Sequence, residues 1–313
     1  MEYLLELFAA RRQEMKKFLA GCLAAAGLAI VMAASSFAAE NELPTREELL
    51  AANEFAVWHA GYTTLDTTET EYNAGQAIYQ NHSRIKVDGS CLTKVFEYPD
   101  HEDYAVGRMI YIKESGRTSV QFLPDSYYEQ YLADWEESLL FFAEDETTES
   151  YVRNADGSLT MTTRMMAENS QFSTMPDGRV FAGNDQIRYV YTFAPGTYLC
   201  VGINAYVLKN GAAEHIYTCT QNYSNDAVPV PDFAAELIRM PEQRTITFIM
   251  QDGSTQVYNV PVGVITTLQL EEGMGRYTSA DRGEAGPFLI DDQTASKTYY
   301  ILPKTVPLGK PAK

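Results

Sequence analysis

Residues 197–223 read TYLCVGINAYVLKNGAAEHIYTCTQNY. Two β-prone runs, Thr197–Lys209 and His215–Tyr223, flank Asn210-Gly211. That dipeptide takes the positive φ angles of a two-residue hairpin at little steric cost. Asp88-Gly89, Asp156-Gly157, Asp177-Gly178 and Asp252-Gly253 repeat the signal. Five such turns, most of them between runs rich in Tyr, Thr and Val, predict an antiparallel meander.

Working outward, further strands are expected at Tyr62–Tyr72, Ala77–Val87, Cys91–Tyr98, Tyr104–Lys113 and Ser119–Leu123. Ser150–Arg153, Leu159–Met166 and Gln186–Phe193 continue the meander. Tyrosine suits such half-exposed faces, because its ring buries while its hydroxyl stays wet. Thr45-Arg46-Glu47-Glu48 is a capping box, and apolar residues from Leu49 to Trp58 predict a helix from Arg46 to Ala60, ended at Gly61. Ser126-Tyr127-Tyr128-Glu129 is a second capping box, followed by Tyr131, Leu132 and Trp135 at helical spacing. Asp232 is expected to cap a short third helix through Leu237. Pro229, Pro231 and Pro241 then mark a composition shift. Beyond it, Ile246, Phe248 and Met250 share a strand face, Thr255–Val260 returns, and Val264–Leu270 and Thr298–Leu302 add strands.

The fold class expected is mainly β (α+β): a curved antiparallel sheet or half-barrel with two or three helices, followed by a small β module. The expected boundaries are 45–240 for the first domain and 241–302 for the module, with 39–44 a linker and 303–313 a disordered, proline-bearing tail.

The segment 1–38 reads as a secretory signal peptide. Lys16 and Lys17 form a positive n-region, Phe18–Ala34 an uncharged apolar core, and Ser36-Phe37-Ala38 a small-residue cleavage site. Met15 is an alternative start, and a retained anchor is the alternative fate. Leu19-Ala20-Gly21-Cys22 matches a lipidation motif by letters, but most of the apolar run follows Cys22 instead of preceding it. The expected location is secreted, periplasmic or cell-envelope.

The net charge of −18 opposes binding to nucleic acid and to anionic headgroups. Cys91, Cys200 and Cys219 remain after the signal, an odd number that allows one disulfide and leaves one thiol over. On a two-residue loop Cys219 would face Gly202 and Cys200 would face Gln221, a diagonal placement. No disulfide framework and no metal site are expected from them.

His59, His82, His101 and His215 show no metal-ligand spacing, and His101-Glu102 lacks the second histidine of a zinc-protease motif. No Gly-x-Ser-x-Gly elbow or phosphate loop occurs. The acidic stretch Asp134, Glu136, Glu137, Glu144, Asp145, Glu146 and Glu149 is expected to form a solvated face. Asn154-Ala155-Asp156-Gly157-Ser158 is calcium-like in letters, but its β-prone flanks predict a hairpin turn.

The order of capped helix, Tyr- and Thr-rich meander, aromatic helix and further hairpins resembles the envelope lipoprotein-carrier fold. Thr45–Ala60 and Ser126–Trp135 would be its helices, and the likeness would span Thr45 to Met240. The lead-in Arg46-Glu47-Glu48-Leu49-Leu50-Ala51-Ala52-Asn53 is similar to that of uncharacterised secreted bacterial proteins. Residues Arg244 to Leu302 resemble the small repeat-type β modules of bacterial surface proteins, through Arg244–Phe248, the Asp252-Gly253 turn, Asn259–Gly263 and Tyr277-Thr278.

The resemblance implies a non-catalytic protein that binds an apolar or amphiphilic ligand between sheet and helices. Trp58, Tyr128, Tyr131, Trp135 and Phe141 are the expected ligand-binding residues, with the same rings as core filling the structural alternative. No cofactor is expected, and the expected partner is an apolar or amphiphilic small molecule or a cell-surface component. A surface interaction protein without small ligand is the second reading, and a carboxylate-dependent hydrolase the third.

Overall fold

The strands that end at Lys209 and begin at Ala212 pair antiparallel as a hairpin, with these two residues opposite each other. The computed structural model describes residues 43–88, 91–123, 140, 142–143, 145–209, 211–268, 274–277, 288–289 and 296–303. The expected signal segment 1–38, the helix expected at 126–135 and the tail beyond Pro303 lie outside the described residues. The chain divides into Met1–Pro44 and Thr45–Lys313, and the elements below belong to the second unit.

One meander comprises β1 (Thr64–Asn73), β2 (Gln76–Asp88), β3 (Cys91–Tyr98), β4 (His101–Val106), β5 (Met109–Glu114) and β6 (Arg117–Phe122). A second comprises β7 (Thr147–Arg153), β8 (Leu159–Met166), β9 (Gln186–Phe193), β10 (Cys200–Lys209) and β11 (Ala212–Ser224). β11 pairs antiparallel with β1, which joins both meanders into one sheet. The protein is thus mainly β, with a large antiparallel sheet and three α-helices among the described residues.

Two turns that the dipeptide signal missed are Ala74-Gly75 and Ser115-Gly116. Their φ values of 49° and 77°, and 48° and 76°, are those of a primed turn. The run expected as one strand, Tyr104–Lys113, is two. The chain reverses at Gly107-Arg108, and β4 pairs with β5. Register shifts occur between Glu71 and Tyr72, Thr148 and Ser150, Cys200 and Gly202, and Ala205 and Tyr206. Such bulges bend and twist a strand, and they curve this sheet. The last of them sends Ile216 and Tyr217, neighbours in sequence, into the core together. It also corrects the expected cysteine register: Cys219 lies opposite Ile203, not Gly202.

The helix α1 (Arg46–Ala52) carries the expected capping box, with the Glu48 amide donating to Thr45 Oγ1 at 3.2 Å. It does not run on to Ala60. Asn53 is fully buried, and its Nδ2 donates to the carbonyls of Leu49 and Tyr198 at 2.8 and 3.0 Å. Its Oδ1 accepts from the Cys200 amide at 2.7 Å. These bonds divert the chain, and a separate turn, α2 (Phe55–Trp58), follows. In α3 (Asp232–Arg239) the cap is Pro231, and Asp232 stands in the first turn, where its charge still suits the helix dipole.

Beyond α3 the chain contributes to two sheets. β12 (Gln243–Ile249), β13 (Thr255–Pro261), β15 (Met274–Tyr277) and β17 (Lys297–Pro303) form a second, four-stranded sheet. β14 (Ile265–Leu268) instead pairs parallel with β6, and β16 (Phe288–Leu289) pairs with β14. The segment 241–302 therefore extends the large sheet as well as building its own.

Residues directly opposite across a strand pair share a face. Glu69 shares the parity of Leu65 on β1, and following the registers from Glu69 through Cys219, Ile203 and Tyr191 to Met161 traces one face, termed the Leu65 face. The larger core lies on that face over β8–β11, where Leu49, Leu140, Phe142, Phe172, Met175 and Phe181 cover it. Over β3–β6 the core changes sides. Val95, Tyr104, Tyr111, Val120 and Phe122 all point to the opposite face, against α3 and the second sheet. One continuous sheet is thus covered on one face at one end and on the other face at the other end.

Cys200 and Cys219 are buried free thiols. Burial pushes both up to about 12, so the nucleophilic thiolate is scarce at neutral pH. Folded protein at pH 8 is therefore expected to leave both unmodified by iodoacetamide, with full labelling in guanidinium, as read by peptide mass spectrometry. Rapid labelling of either thiol in the folded protein would contradict their burial.

Candidate functional site

Where the first core ends, the Leu65 face carries polar groups. Leu65, Thr67, Glu69 and Glu71 alternate along β1, so both carboxylates share the parity of a buried leucine. Glu69 accepts from the Tyr217 hydroxyl at 2.6 Å and from Asn81 Nδ2 at 2.8 Å. Tyr217 belongs to the first core, where Phe172 packs on its ring at 4.8 Å. Glu71 lies opposite Tyr79 on one side and Tyr217 on the other. Burial raises the Tyr79 hydroxyl above its ordinary range, and the charges of Glu71 and Glu69 add to the rise against the lowering hydrogen bond of Asn81. Burial raises Tyr217 well above it too, helped by Glu69. Both phenols are thus neutral donors at physiological pH.

The face continues onto β3 and β4. The ring of His101 stacks on Tyr98 at 4.4 Å and 11°. Its Nε2 stands 3.5 Å from Asp103, and its Nδ1 is buried without a hydrogen-bond partner. Tyr98 is raised by burial and then by Glu114, Tyr79 and Asp103, and the registers set Tyr98 opposite His101 and His101 opposite Glu114. Beside them, on the same face, run apolar side chains. Phe96 lies 5.3 Å from Tyr98 and opposite both Ser83 and Asp103. Ile112 lies opposite Asp103, and Ile110 opposite Ala105. The strip is half-buried and two-sided: Glu69, Asn81, Tyr98 and His101 form its polar margin, and Phe96 and Ile112 its apolar one, with Asp103 between them and the Lys94 ammonium 4.7 Å over the Phe96 ring.

Among the described residues no group of three His, Cys, Asp or Glu is placed to hold a metal ion. Nor is any helix among them long and apolar enough to cross a membrane. The calcium-like letters at Asn154–Ser158 form a hairpin turn. Asp156 Oδ1 accepts from the Ser158 amide at 2.9 Å, and Asn154 Nδ2 donates to Ser158 Oγ at 2.9 Å.

The acidic stretch is corrected in part. Glu146 is 4 % exposed and sits inside the first core. It accepts from the hydroxyls of Thr163 and Tyr191 and from the Ala143 amide. Glu149 is held by Arg164 and Arg188. Asp134, Glu136, Glu137 and Glu144 lie outside the described residues.

Of the expected ligand-binding residues, Trp58 is enclosed in a small cluster with Leu65 and Leu199. Phe55 and Tyr223 meet its ring at 5.2 and 5.6 Å. Tyr128, Tyr131, Trp135 and Phe141 lie outside the described residues. Glu69, Tyr79, Asn81, Tyr98 and His101 were not singled out as a site from sequence. The available signal was the alternation at Glu69 and Glu71, two carboxylates at an inward parity.

No protein-family model matches the chain, and no curated protein matches it.

Proposed function

We propose that the chain is a secreted or cell-envelope binding protein, non-catalytic, that holds an amphiphile against the Leu65 face of its large sheet. The observation that carries the reading is the two-sided strip itself. Phe96 and Ile112 offer partly exposed carbon on either side of Asp103, and Phe96 also meets Tyr98, which leads on to His101. Carboxylates accept and phenols donate, so a head bearing hydroxyls or a positive charge suits the polar margin. The lipoprotein-carrier resemblance belongs to the same reading. The space over β8–β11 is occupied by the chain's own side chains, which favours the strip beyond it as the ligand's place.

Two measurements test this. Native mass spectrometry of protein purified from its host without detergent is expected to show added mass that organic extraction removes. Titration with dodecyltrimethylammonium below its micellar concentration is expected to show saturable binding, about tenfold weakened by Tyr98→Ala, a change of about 1.4 kcal/mol. Dodecyl sulfate should bind more weakly than the cation. A clean apo mass with no uptake of either surfactant sinks the proposal, as does equal binding by wild type and Tyr98→Ala.

A further inference from the structure

The opposite face over β8–β11 and β1 has a different chemistry from the strip. Registers set Arg164 opposite Arg188, Arg188 opposite Tyr206, and Tyr206 opposite His215. Tyr72 stacks on His215 at 4.6 Å, and Tyr206 meets the same ring at 5.0 Å. This makes one cross-strand row, basic at one end and aromatic at the other. Glu149 is the carboxylate shared by the two guanidinium groups, with Arg188 Nε at 2.8 Å from it. Two positive charges thus meet one negative charge, in a chain whose net charge is −18. Arg164 also donates to Gln186 at 3.3 Å, while its Nε is buried without a hydrogen-bond partner. The side chains of Arg164 and Arg188 are 39 % and 35 % exposed.

Two further rows lie alongside. One runs Thr162, Val190, Asn204, Thr218 and Thr70, and the next Thr160, Thr192, Gly202, Thr220 and Thr68. Threonines on four of these five adjacent strands, with Asn204 on β10, present polar side chains at the strand spacing. Four spacings span about 19 Å, the scale of a short oligosaccharide.

We infer that this face docks an acidic glycan, a chain of sugar rings bearing carboxylates. Sugar rings would lie against the outward faces and edges of the Tyr72–His215–Tyr206 stack. A ring carboxylate would take the guanidinium donors of Arg188 that Glu149 leaves over, with the charge of Arg164 behind them, and ring hydroxyls would exchange hydrogen bonds with the threonine rows. Local charge complementarity selects an anion. A nucleic acid needs a basic track along its phosphates, and this row offers two guanidinium groups at one end with aromatic rings and hydroxyls beyond them. A lipid bilayer would require apolar side chains to enter it, and these rows offer hydroxyls.

Isothermal calorimetry of the full chain with oligogalacturonate at low salt tests the inference. The expected result is saturable binding that weakens as salt rises, with an uncharged malto-oligosaccharide at least tenfold weaker. Arg188→Gln is expected to lose about tenfold. Tyr206→Thr, whose β-branched replacement suits a strand, is expected to lose at least fivefold and carries the test should Arg188→Gln fail to fold. Asn81→Ala, on the other face, should leave glycan binding unchanged, and Arg188→Gln should leave surfactant binding unchanged. No binding of the oligogalacturonate overturns the inference, as does equal binding by wild type and both variants. Polyglutamate binding as tightly as the glycan would also overturn it, in favour of an acidic peptide.

Discussion

Replacing Glu146 by leucine is expected to destabilise the protein by about 3–5 kcal/mol in urea unfolding. The side chain is nearly sealed from solvent and closes a polar network inside the first core. Tyr191 donates its hydroxyl to Oε1 at 2.9 Å, Thr163 donates to the same oxygen, and the Ala143 amide donates to Oε2 at 3.0 Å. Leucine would leave all three donors buried and unpaired, each costing about 1–3 kcal/mol before relaxation. The same residue anchors α1, because the Arg46 guanidinium donates to its backbone carbonyl and lies over the Phe142 ring at 4.6 Å. Glu146→Gln keeps the shape and one acceptor, so about 1–2 kcal/mol is expected. A loss below 1 kcal/mol for Glu146→Leu would contradict the buried network.

Phe122→Ala is expected to cost about 3–5 kcal/mol, for a different reason. Phe122 is 1 % exposed and ends β6 on the face opposite Leu65. It meets Phe248 of β12 at 5.6 Å, edge to face, and Tyr258 of β13 at 4.5 Å. Its ring therefore joins the large sheet to the second sheet, and alanine leaves a cavity at that joint. The two cores are separate clusters on separate faces. Hydrogen exchange should accordingly rise first in β12, β13 and β17 of Phe122→Ala, while β8–β10 stay protected. Glu146→Leu should show the reverse. Uniform loss of protection in both variants would mean that the two cores open as one.

The hairpins were legible because turn chemistry is local. Asn210-Gly211 and Asp156-Gly157 announce themselves within a few residues. Leu159–Met166 and Gln186–Phe193 alternate so regularly that their bounds coincide with the strands observed. Tyr104–Lys113 reads as one strand because Gly107-Arg108 is not one of the usual turn pairs, and a reversal there depends on β4 and β5 finding each other. The helix from Arg46 is shorter than its apolar spacing predicts because nothing local shows that Asn53 bonds to Tyr198 and Cys200, 145 and 147 residues away. Glu146 looked solvated because charge runs usually are; its burial depends on Thr163 and Tyr191 arriving from β8 and β9. The candidate strip was half legible. Glu69 and Glu71 stand at inward positions, but Tyr217 reaches Glu69 from 148 residues away.

The strand-rich class, the capped first helix, most of the turns and the alternation that gives every strand two unlike faces can all be read from the order of the residues. Those properties follow from sterics and hydrogen bonds acting over a few residues. Only the tertiary structure decided which of the two faces would be buried at each place. Alternation says that β1 has a leucine side and a threonine side, and that β5 has a Tyr111 side and an Ile112 side. It does not say what chain will cover either. Phe172, Phe181 and Leu140 cover the Leu65 face at one end, and α3 with Phe248 covers the opposite face at the other. Burial is decided by whichever apolar surface the chain brings back from far away. That change of cover from one face to the other leaves both the amphiphilic strip and the basic-aromatic row open.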